Sequence, residues 1–503
     1  MKLYLGIDAG TTNVKAALFD LNGKMVSFHS EKTPVVTLQN GWSQIDPGQL
    51  WDTVKQCIRE AVHGASGNKI VAAGVSSMGE SGTFCDDSGK PLYPFITWYD
   101  TRSRKEFECF ENRVGSGTIY EITGQIPSVK YGVSKMLWIR EIMGDKFRKA
   151  RHWVSVEDWV IYCMTGEYAT DYSIASRTLL FDIRCLDWSG ELMKAAGLKK
   201  EMFPAVYPGG TVIGRIMGNT AMELGLNQEI LVAAGGHDHA CAGIAVNILK
   251  PGVILDSMGT SEVLMTAADR VPEMREMMKN YFSIYPHCGK RLYRIITSNQ
   301  SCGASVEWYI NTFYRFEAAR ASENGVSRYD CLPRILVEKE PDSLYYFPFL
   351  RGSAEEPELK GVFWGLEDGQ TKEDYYKALL EGLCFEIKNQ TERQEKCLGI
   401  KGEILRTVGG LCRSEQMMEI KCRIQEMRVE VPAVYEAACC GAALLGAMAA
   451  GDLTEEQLDQ TWHAEKRYEG SHTESYRKKF GRYLWLREKI KNIYHESVEM
   501  PVD

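Results

Sequence analysis

The chain has 503 residues, 44% hydrophobic and 25% charged, with a formal net charge of −8, values typical of a globular protein of two or three domains. Its Lys and Arg residues are scattered and show no excess, which argues against nucleic acid as a partner. Because the sequence has no run of 18 apolar residues and no leader-like start, we expect a cytoplasmic protein with no membrane partner.

The first predicted element is a strand, a tight turn and a second strand within residues 5–20. An apolar run ends at Asp8, and Gly10 permits a bend that lets backbone N–H groups approach an anion. Thr11 and Thr12 add hydroxyl donors. The pattern predicts a phosphate-binding turn, with Asp8 placed to hold Mg²⁺ through water. A hairpin with an ordinary Gly-Thr turn has the same local sequence and is the alternative.

A helix over residues 51–63 and a buried strand over residues 70–78 follow. The strand ends in Gly79-Glu80-Ser81-Gly82, so a carboxylate lies between glycines at the carboxyl end of a strand, where open α/β sheets bind ligands. Glu80 is therefore a candidate for hydrogen bonds to ligand hydroxyls. A hairpin turn with a solvated Glu80 is the alternative.

The segment 95–102 combines aromatic, acidic and basic side chains. Aromatic faces cover the C–H side of a sugar or polyol, while charged groups hydrogen-bond its hydroxyls. Trp98, Asp100 and Arg102 are thus candidate substrate contacts. Alternatively, Trp98 belongs to the core and Asp100 pairs with Arg102 at the surface.

Residues 104–200 are predicted to be mostly helical, with an insertion or lid over a cleft at residues 171–190.

A buried strand over residues 230–234 leads through two glycines into Gly236-His237-Asp238-His239 and then a helix. A carboxylate at such a bend, after glycines that let a substrate approach, is well placed as a general base. Asp238 is our catalytic candidate, with a helix N-cap as the alternative. His237 and His239 fit metal ligation, substrate hydrogen bonding or packing, and His239 is the preferred substrate contact.

A second turn of the same kind occurs at residues 252–262, where a strand leads into Gly259-Thr260-Ser261. Two such turns suggest duplicated halves that grip a triphosphate from both sides, and no Walker-type GxxxxGKS or GxxxxGKT loop occurs. Asp256 is a weaker carboxylate candidate than Asp8, because its distance from the glycine differs.

A third bend follows the short strand 404–408. Gly409 and Gly410 precede a helix that starts after Ser414, so a base or ribose can lie against the backbone, although a structural Gly-Gly turn is the alternative.

The fifteen cysteines show no CxxC pair, and we expect most to be buried thiols. A terminal helix over residues 474–494 is predicted to serve packing only.

In their order along the chain, these motifs resemble those of the FGGY carbohydrate kinases of the actin-like ATPase superfold. GIDAGTT at 6–12 is similar to the first phosphate motif, and SMGTSE at 257–262 to the second. VGGLCRS at 408–414 is similar to the adenosine motif, and residues 436–446 to the small-residue closing helix. The resemblance covers nearly the whole chain.

The resemblance implies an α/β protein of two actin-like (ribonuclease H-like) domains around an interdomain ATP/sugar cleft. Residues 1–247 would bind the sugar or polyol and supply the base, and residues 248–503 would bind ATP, with a hinge near residue 248. The implied activity is ATP- and Mg²⁺-dependent phosphorylation of a small sugar, such as a pentulose, or of a sugar alcohol. Such kinases are commonly homodimers.

By this resemblance Asp238 is similar to the catalytic base and Asp8 to the Mg²⁺-linked aspartate. The expected substrate contacts are Gly79, Glu80, Trp98, Asp100, Arg102 and His239. The expected ATP contacts are Gly10, Thr11, Thr12, Asn13, Lys15, Gly259, Thr260, Ser261, Gly409, Gly410 and Ser414.

The sequence also departs from the family where substrates are read. Ser77-Met78-Gly79-Glu80 differs from the Gln-Met-His-Gly of typical xylulokinases, and Gly79 replaces the arginine of the Arg-Glu pair in glycerol kinases. The sequence therefore predicts a kinase without naming its sugar. An ATP-driven chaperone or a sugar-responsive regulator on the same fold is the alternative, and a general base opposite the γ-phosphate favours the enzyme.

Overall fold

The structure is a computed structural model that describes residues 1–65, 67–289, 292–337, 343–470 and 474–499. The first half of the chain contains the strands β1 (Lys2–Ala9), β2 (Asn13–Phe19), β3 (Met25–Lys32), β4 (Val35–Thr37), β5 (Ser43–Ile45), β6 (Lys69–Ser77), β7 (Gly82–Cys85), β8 (Phe95–Ile96), β9 (His152–Ser155), β10 (Ala169–Asp171), β11 (Phe181–Asp182), β12 (Asp187–Trp188), β13 (Ala205–Tyr207), β14 (Val212–Arg215) and β15 (Leu231–His237). Its helices are α1 (Pro47–His63), α2 (Arg104–Val114), α3 (Ser116–Thr123), α4 (Gly132–Met143), α5 (Val156–Thr165), α6 (Tyr172–Ser176), α7 (Gly190–Ala196), α8 (Gly218–Leu224) and α9 (Asp238–Ala245).

The second half contains the strands β16 (Val253–Met258), β17 (Glu262–Ala268), β18 (Ser283–Pro286), β19 (Tyr293–Asn299), β20 (Tyr345–Phe347), β21 (Val362–Trp364), β22 (Ile404–Gly409), β23 (Arg428–Pro432) and β24 (Ala464–Tyr468). Its helices are α10 (Met274–Lys279), α11 (Cys302–Phe313), α12 (Arg315–Glu323), α13 (Lys372–Leu398), α14 (Glu415–Gln425), α15 (Ala437–Ala449), α16 (Leu458–Thr461) and α17 (Glu474–Glu499). Short 3-10 helices span Gly144–Lys149, Lys200–Met202, Arg328–Cys331, Gly410–Arg413 and Glu455–Gln457.

Each half is organised around one large mixed sheet. The first is six-stranded, in the order β14-β15-β6-β1-β2-β3, and the second is seven-stranded, in the order β18-β19-β17-β16-β22-β23-β24. In the first sheet β1 is antiparallel to β2 and parallel to β6, which is parallel to β15. In the second sheet β16 is likewise antiparallel to β17 and parallel to β22. This repeated arrangement confirms the predicted α/β fold with two duplicated halves.

Parallel strands bring the carboxyl ends of β1, β6 and β15 to one edge of the first sheet. Register pairs Asp8 with Ser76, and His237 with Ser77. Asp8 and Asp238 therefore lie on either side of the end of β6. In the second sheet Met258 pairs with Gly409, so the second phosphate turn lies beside the third bend.

Helix α15 of the second half packs on the first sheet. A Cβ on Gly6 would lie 1.9 Å from the carbonyl oxygen of Cys439, and one on Gly74 would lie 2.0 Å from that of Ala442. Glycine at both strand positions is therefore what permits this close approach of helix and sheet. All residues of β1 after Lys2 are buried, as expected for a strand covered on both faces.

Segment 171–190 differs from its expected role as an insertion or lid. Asp171, Leu179 and Leu180 are fully buried, and α6 packs against β15 and β18. The segment is thus part of the core beneath the bend after β15, and the lid interpretation is wrong.

The predictions for the helix at residues 51–63, the terminal helix and the cysteines are confirmed. Helix α1 covers the predicted residues 51–63, and α17 buries Tyr476, Phe480 and Tyr483. All fifteen cysteines are free thiols, and nine of them are buried. None of the helices in the described ranges is long and apolar enough to cross a membrane.

Candidate active site

The first phosphate turn joins β1 to β2. The Gly10 N–H donates to the Asn13 carbonyl oxygen at 3.1 Å, which closes the predicted strand-turn-strand. The Thr33 side chain supports the turn from β3's end, since its hydroxyl donates to the Gly10 carbonyl at 2.7 Å and its N–H to the Thr12 carbonyl at 3.0 Å. The Thr11 hydroxyl accepts a hydrogen bond from Trp98 Nε1 at 3.0 Å.

Asp8 lies at the end of β1 and is 7% exposed. The Ser76 hydroxyl donates to Asp8 Oδ1 at 3.1 Å. Burial, followed by the charge of Asp238, raises the pKa of Asp8 to about 7, although Lys15 acts to lower it. A buried carboxylate that faces a second carboxylate favours a proton or a cation. Mg²⁺ binds through one or two carboxylates together with substrate phosphates and water, so these two aspartates fit it.

Within the part of the chain that the structure describes, no group of three or more His, Cys, Asp or Glu side chains is arranged to hold a metal ion. Lys15, an expected ATP contact, pairs with a protein carboxylate. Its Nζ lies 2.5 Å from Glu436 Oε2, just before α15. This ion pair ties the first phosphate turn to the closing helix.

Asp238 is the first residue of α9, at the predicted bend after β15. Its side chain is 34% exposed, and its Oδ1 lies 3.2 Å from His237 Nδ1 and 4.0 Å from His239 Nε2. The same oxygen accepts the His239 N–H at 2.6 Å. A capping side chain would accept N–H groups two or three residues further along, so this geometry leaves the carboxylate available to a ligand.

The two glycines before Asp238 are packed closely against neighbouring protein groups. A Cβ on Gly235 would lie 1.9 Å from the Val75 carbonyl oxygen, and one on Gly236 would lie 2.7 Å from Ser173 Oγ. Gly236 also has a φ of 150°. The glycines therefore make room for neighbouring protein groups, a use that the sequence pattern did not predict.

The two histidines beside Asp238 lie in different environments. His237 is 6% exposed, and burial together with the charge of Arg177 holds its pKa well below the ordinary value, so it is neutral. The His239 side chain is 40% exposed and lines a cavity of about 330 Å³.

Glu80 is buried, which rules out the solvated hairpin turn. Its carboxylate pairs with the guanidinium of Arg177, which also donates to Gln125 Oε1 at 3.2 Å. Burial disfavours the charge of Arg177, but Glu80 raises its pKa above the ordinary value. The sequence analysis missed Arg177, since it lies 97 residues from Glu80 and no local pattern marks it. Gly79 packs directly against His237, because a Cβ on Gly79 would lie 2.7 Å from the His237 ring.

Asp100 and Arg102 form a buried ion pair. Arg102 Nη2 lies 2.7 Å from Asp100 Oδ2, and the two side chains are 0% and 1% exposed. The Ser43 N–H donates to the same carboxylate at 2.6 Å, and the guanidinium lies 4.5 Å from the ring centre of Trp42. Although burial acts to raise it, hydrogen bonds from Arg102 hold the pKa of Asp100 below its ordinary value. Protein groups thus occupy both side chains, contrary to their expected substrate role.

The second phosphate turn rests on the start of α11. The Gly303 N–H donates to the Gly259 carbonyl at 3.0 Å, and the Ala304 N–H donates to the Thr260 carbonyl at 3.1 Å. The Gly259 N–H in turn donates to the Ser261 carbonyl at 2.9 Å. These bonds fix the turn at the carboxyl end of β16.

Asp256, the weaker carboxylate candidate, is fully buried beneath this turn. It pairs with Lys421 of α14, whose Nζ also lies 2.6 Å from Glu262 Oε1. The lysine therefore pairs with both carboxyl groups although it balances the charge of only one, and Asp256 is a structural residue. Burial and the charge of Asp256 raise the pKa of Glu262 to about 8.

A cavity of about 1270 Å³ opens beside the second phosphate turn and the third bend. Four of the expected ATP contacts line it, namely Gly259, Thr260, Gly410 and Ser414. Gly409 has a φ of 103°, and a Cβ there would lie 2.3 Å from the Met258 carbonyl oxygen, so glycine keeps the bend against β16. Lining residues that the sequence analysis missed include Trp308, Asn311, Tyr329, Arg334, Arg413 and Gln416.

A second cavity, of about 330 Å³, lies between the two halves of the chain. From the first half it is lined by Trp98, Lys130, Tyr131, Arg177, His237 and His239, among others. From the second half it is lined by Ser261, Ser283, Tyr285, Ser298 and Gln300, among others. We call it the interdomain cavity. Of the expected substrate contacts, Trp98 and His239 line it, while Gly79, Glu80, Asp100 and Arg102 do not.

Comparison with known proteins gives matches along most of the chain. Residues 3–245 match the N-terminal domain of the FGGY family of carbohydrate kinases, and residues 255–450 match its C-terminal domain. A gluconokinase of Bacillus subtilis is 28% identical over 454 residues, which cover 89% of this chain and 88% of the relative. A xylulose kinase of Escherichia coli is 26% identical over 433 residues, covering 85% and 86%.

Solved structures agree in fold. A protein described as a xyloylose kinase, from Brucella ovis, superimposes with a TM-score of 0.86 and 25% identity, covering 98% of this chain and all of that one. A Plasmodium falciparum glycerol kinase with ADP has a TM-score of 0.85 and 20% identity, covering 100% and 99%.

Proposed function

Because the chain belongs to the FGGY family of carbohydrate kinases, which phosphorylate sugars or sugar alcohols with ATP, we propose how its residues divide that task. Asp238 acts as the general base. Asp8 holds Mg²⁺. The substrate, a small sugar such as a pentulose or a sugar alcohol, occupies the interdomain cavity, and ATP occupies the cavity of about 1270 Å³.

One observation carries this proposal. The interdomain cavity is lined both by His239, the neighbour of Asp238, and by Ser261 of the second phosphate turn. A molecule in this cavity would therefore lie between the proposed base and a turn suited to phosphate. The charge of Asp238 also reaches Asp8 strongly enough to raise its pKa, which supports a common reaction centre for the two carboxylates.

Phosphoryl transfer requires little covalent chemistry from the protein beyond alignment and charge stabilisation. The substrate hydroxyl oxygen forms a bond to the γ-phosphorus, the bond from that phosphorus to the β-phosphate oxygen breaks, and Asp238 accepts the hydroxyl proton. His237 is neutral, so it leaves the negative charge of Asp238 uncompensated and the carboxylate remains a base. When bound, Mg²⁺ would neutralise charge on the phosphate oxygens.

We further propose that the two halves close about a hinge near residue 248, between α9 and β16. Closure excludes water, which would otherwise compete with the sugar hydroxyl for the γ-phosphate. A homodimer and a cytoplasmic location stay predictions.

The proposal is tested by ADP release with Mg-ATP and a panel of pentuloses, hexuloses and three- to five-carbon polyols. We expect at least one compound to raise ADP release well above the rate without sugar, and mass spectrometry to show a product one phosphate heavier. ADP release that no compound changes would contradict the proposal and would favour an ATPase without transfer.

A further inference from the structure

We infer that the substrate of this kinase carries a carboxylate, as sugar acids do, and that Lys130 binds that carboxylate. The inference rests on the proposed function, because it takes the interdomain cavity as the substrate site. It narrows the substrate class from sugars and polyols in general to their acids.

The charge of the cavity lining is the first observation. Lys130 and Arg177 both line it, and no aspartate or glutamate of the described residues is among the lining. Glu80 compensates Arg177 through their ion pair. For Lys130, by contrast, no carboxylate partner within the described ranges lies at ion-pair distance. The lining therefore carries one uncompensated positive charge.

Lys130 is held in position by its own loop. The buried side chain of Lys135 donates to the Val129 carbonyl at 3.2 Å and also to the Lys130 carbonyl. The Ser134 hydroxyl donates to the same Val129 carbonyl at 2.6 Å. These bonds fix the backbone at both residues, so only the Lys130 side chain has to be ordered when a ligand binds.

The surroundings of Lys130 increase its electrostatic attraction for an anion. Its Nζ lies 5.1 Å from the ring centre of Tyr131, and the Arg177 guanidinium carbon lies 5.1 Å from the same ring. Lys130 is half-buried, so protein atoms replace much of the water that screens an exposed lysine. An anion in this low-dielectric pocket interacts with Lys130 more strongly than it would at the surface.

The remaining lining fits the rest of a sugar acid. Ser283, Ser298 and Gln300 offer hydroxyl and amide groups from the second half, which suit several substrate hydroxyls. A cavity of about 330 Å³ lies at the lower end of the size of small-molecule sites. One free positive charge matches a carboxylate better than a doubly charged phosphate.

The experiment compares matched pairs that differ only at one end of the carbon chain. Each pair consists of a four- to six-carbon aldonate and the alditol with the same stereocentres, for example gluconate and glucitol. Initial rates of ADP release give kcat/KM for each compound. We expect at least one aldonate to exceed its alditol by roughly tenfold to a hundredfold, the usual range for a charged hydrogen bond, and this ratio to fall as salt is added.

Variants assign that preference to Lys130. Lys130→Met should reduce the ratio of aldonate to alditol to near one, mainly by raising KM for the acid, whereas Lys130→Arg should retain most of it. Lys149→Met is the matched control, since Lys149 is exposed and absent from the cavity lining; its ratio should equal that of the unaltered chain. Melting temperature and Mg-ADP binding verify that each variant is folded.

The outcomes separate this inference from the proposed function. A preference for a ketose, an alditol or a sugar phosphate over every acid would overturn the inference while the kinase proposal stands. Equal losses with acid and alditol in Lys130→Met would also overturn it, because they would indicate a positional role. If no compound raises ADP release, the proposed function itself fails.

Discussion

Trp98 Nε1 donates a hydrogen bond to the hydroxyl of Thr11 at 3.0 Å. Trp98 lines the interdomain cavity, and Thr11 belongs to the first phosphate turn, 87 residues away. The bond therefore couples the wall of the proposed sugar site to the turn that is expected to contact ATP. The first phosphate turn lines neither cavity. Through Trp98, however, it is hydrogen-bonded to the wall of the interdomain cavity.

Replacement of Trp98 by Phe retains an aromatic face and removes the N–H. We expect kcat/KM for the sugar to fall about threefold to tenfold, because one hydrogen bond contributes about 0.5–1.5 kcal/mol. Steady-state kinetics with the best substrate measures the loss. Trp364→Phe, at an exposed position of β21, is the matched control. Equal kinetics for Trp98→Phe and the unaltered chain would show that the bond does not affect transfer.

Asp238→Asn preserves the shape of the side chain and abolishes its basicity. We expect kcat to fall about 100-fold to 10,000-fold, the usual contribution of a general base, with the Kd of ATP nearly unchanged. Rapid-quench kinetics and calorimetric titration with a non-hydrolysable ATP analogue measure the two quantities. Asp52→Asn, on the outer part of α1, serves as control. A comparable loss of ATP affinity in Asp238→Asn would speak against the assigned role.

Asp8→Asn tests the cation site. Without the carboxylate, we expect the Mg²⁺ concentration at half-maximal activity to rise at least about tenfold, since a first-sphere or water-mediated carboxylate is lost from a site that has few protein ligands. Activity titrated with Mg²⁺ at fixed ATP measures it, and thermal unfolding with Mg-ADP gives a second readout. An unchanged Mg²⁺ requirement would place the cation elsewhere.

The ion pair of Glu80 and Arg177 offers a test of stability. Glu80→Gln and Arg177→Met should each lower the free energy of unfolding by about 3–5 kcal/mol, because each leaves a buried charge without its partner. The double variant should lose less than the sum of the two. Denaturant unfolding measures all three. Glu121→Gln removes the exposed partner of Arg184 and should cost less than about 1 kcal/mol. Additive losses in the double variant would contradict a direct pair.

Lys135 predicts a pH dependence of stability. Burial lowers its pKa from 10.5 to about 7. In the folded state Lys135 therefore carries an unfavourable buried charge below pH 7 and loses its proton above pH 7. The unfolded chain stays protonated up to pH 10.5, and this contribution to the free energy of unfolding therefore rises between those values, by about 1.4 kcal/mol per pH unit. Denaturant unfolding at pH 7, 8 and 9 should show the rise in the unaltered chain and in Lys149→Met, but not in Lys135→Met. Parallel curves for all three would refute the assignment.

Local patterns predicted the strands and turns of the site well. Each phosphate turn is a hairpin whose two strands follow each other directly along the chain, so alternation of apolar residues and the position of one glycine determine it. Asp8 and Asp238 were predicted for the same reason, since Asp8 lies at the end of a buried strand and Asp238 directly after one. Parallel strands then bring their carboxyl ends to one edge.

Long-range partners are what the sequence pattern did not reveal. Arg177 meets Glu80 across 97 residues, and Lys421 neutralises Asp256 across 165, so no spacing rule marks either lysine or arginine. Asp100 and Arg102 show the opposite problem. Their adjacency was visible, but a carboxylate and a guanidinium serve a ligand or each other equally well, and only burial distinguishes the two uses.

The packing of α15 on β1 and β6 has a consequence for biosynthesis. Strand β15 ends at His237 and α15 begins at Ala437, so the ribosome must add some 200 further residues before the helix can cover the first sheet. At about 5–20 residues per second, that interval lasts roughly 10–40 seconds. During that time the nascent sheet exposes the glycine-lined apolar face that α15 later occupies, which makes it a natural client for chaperones that hold unfinished chains.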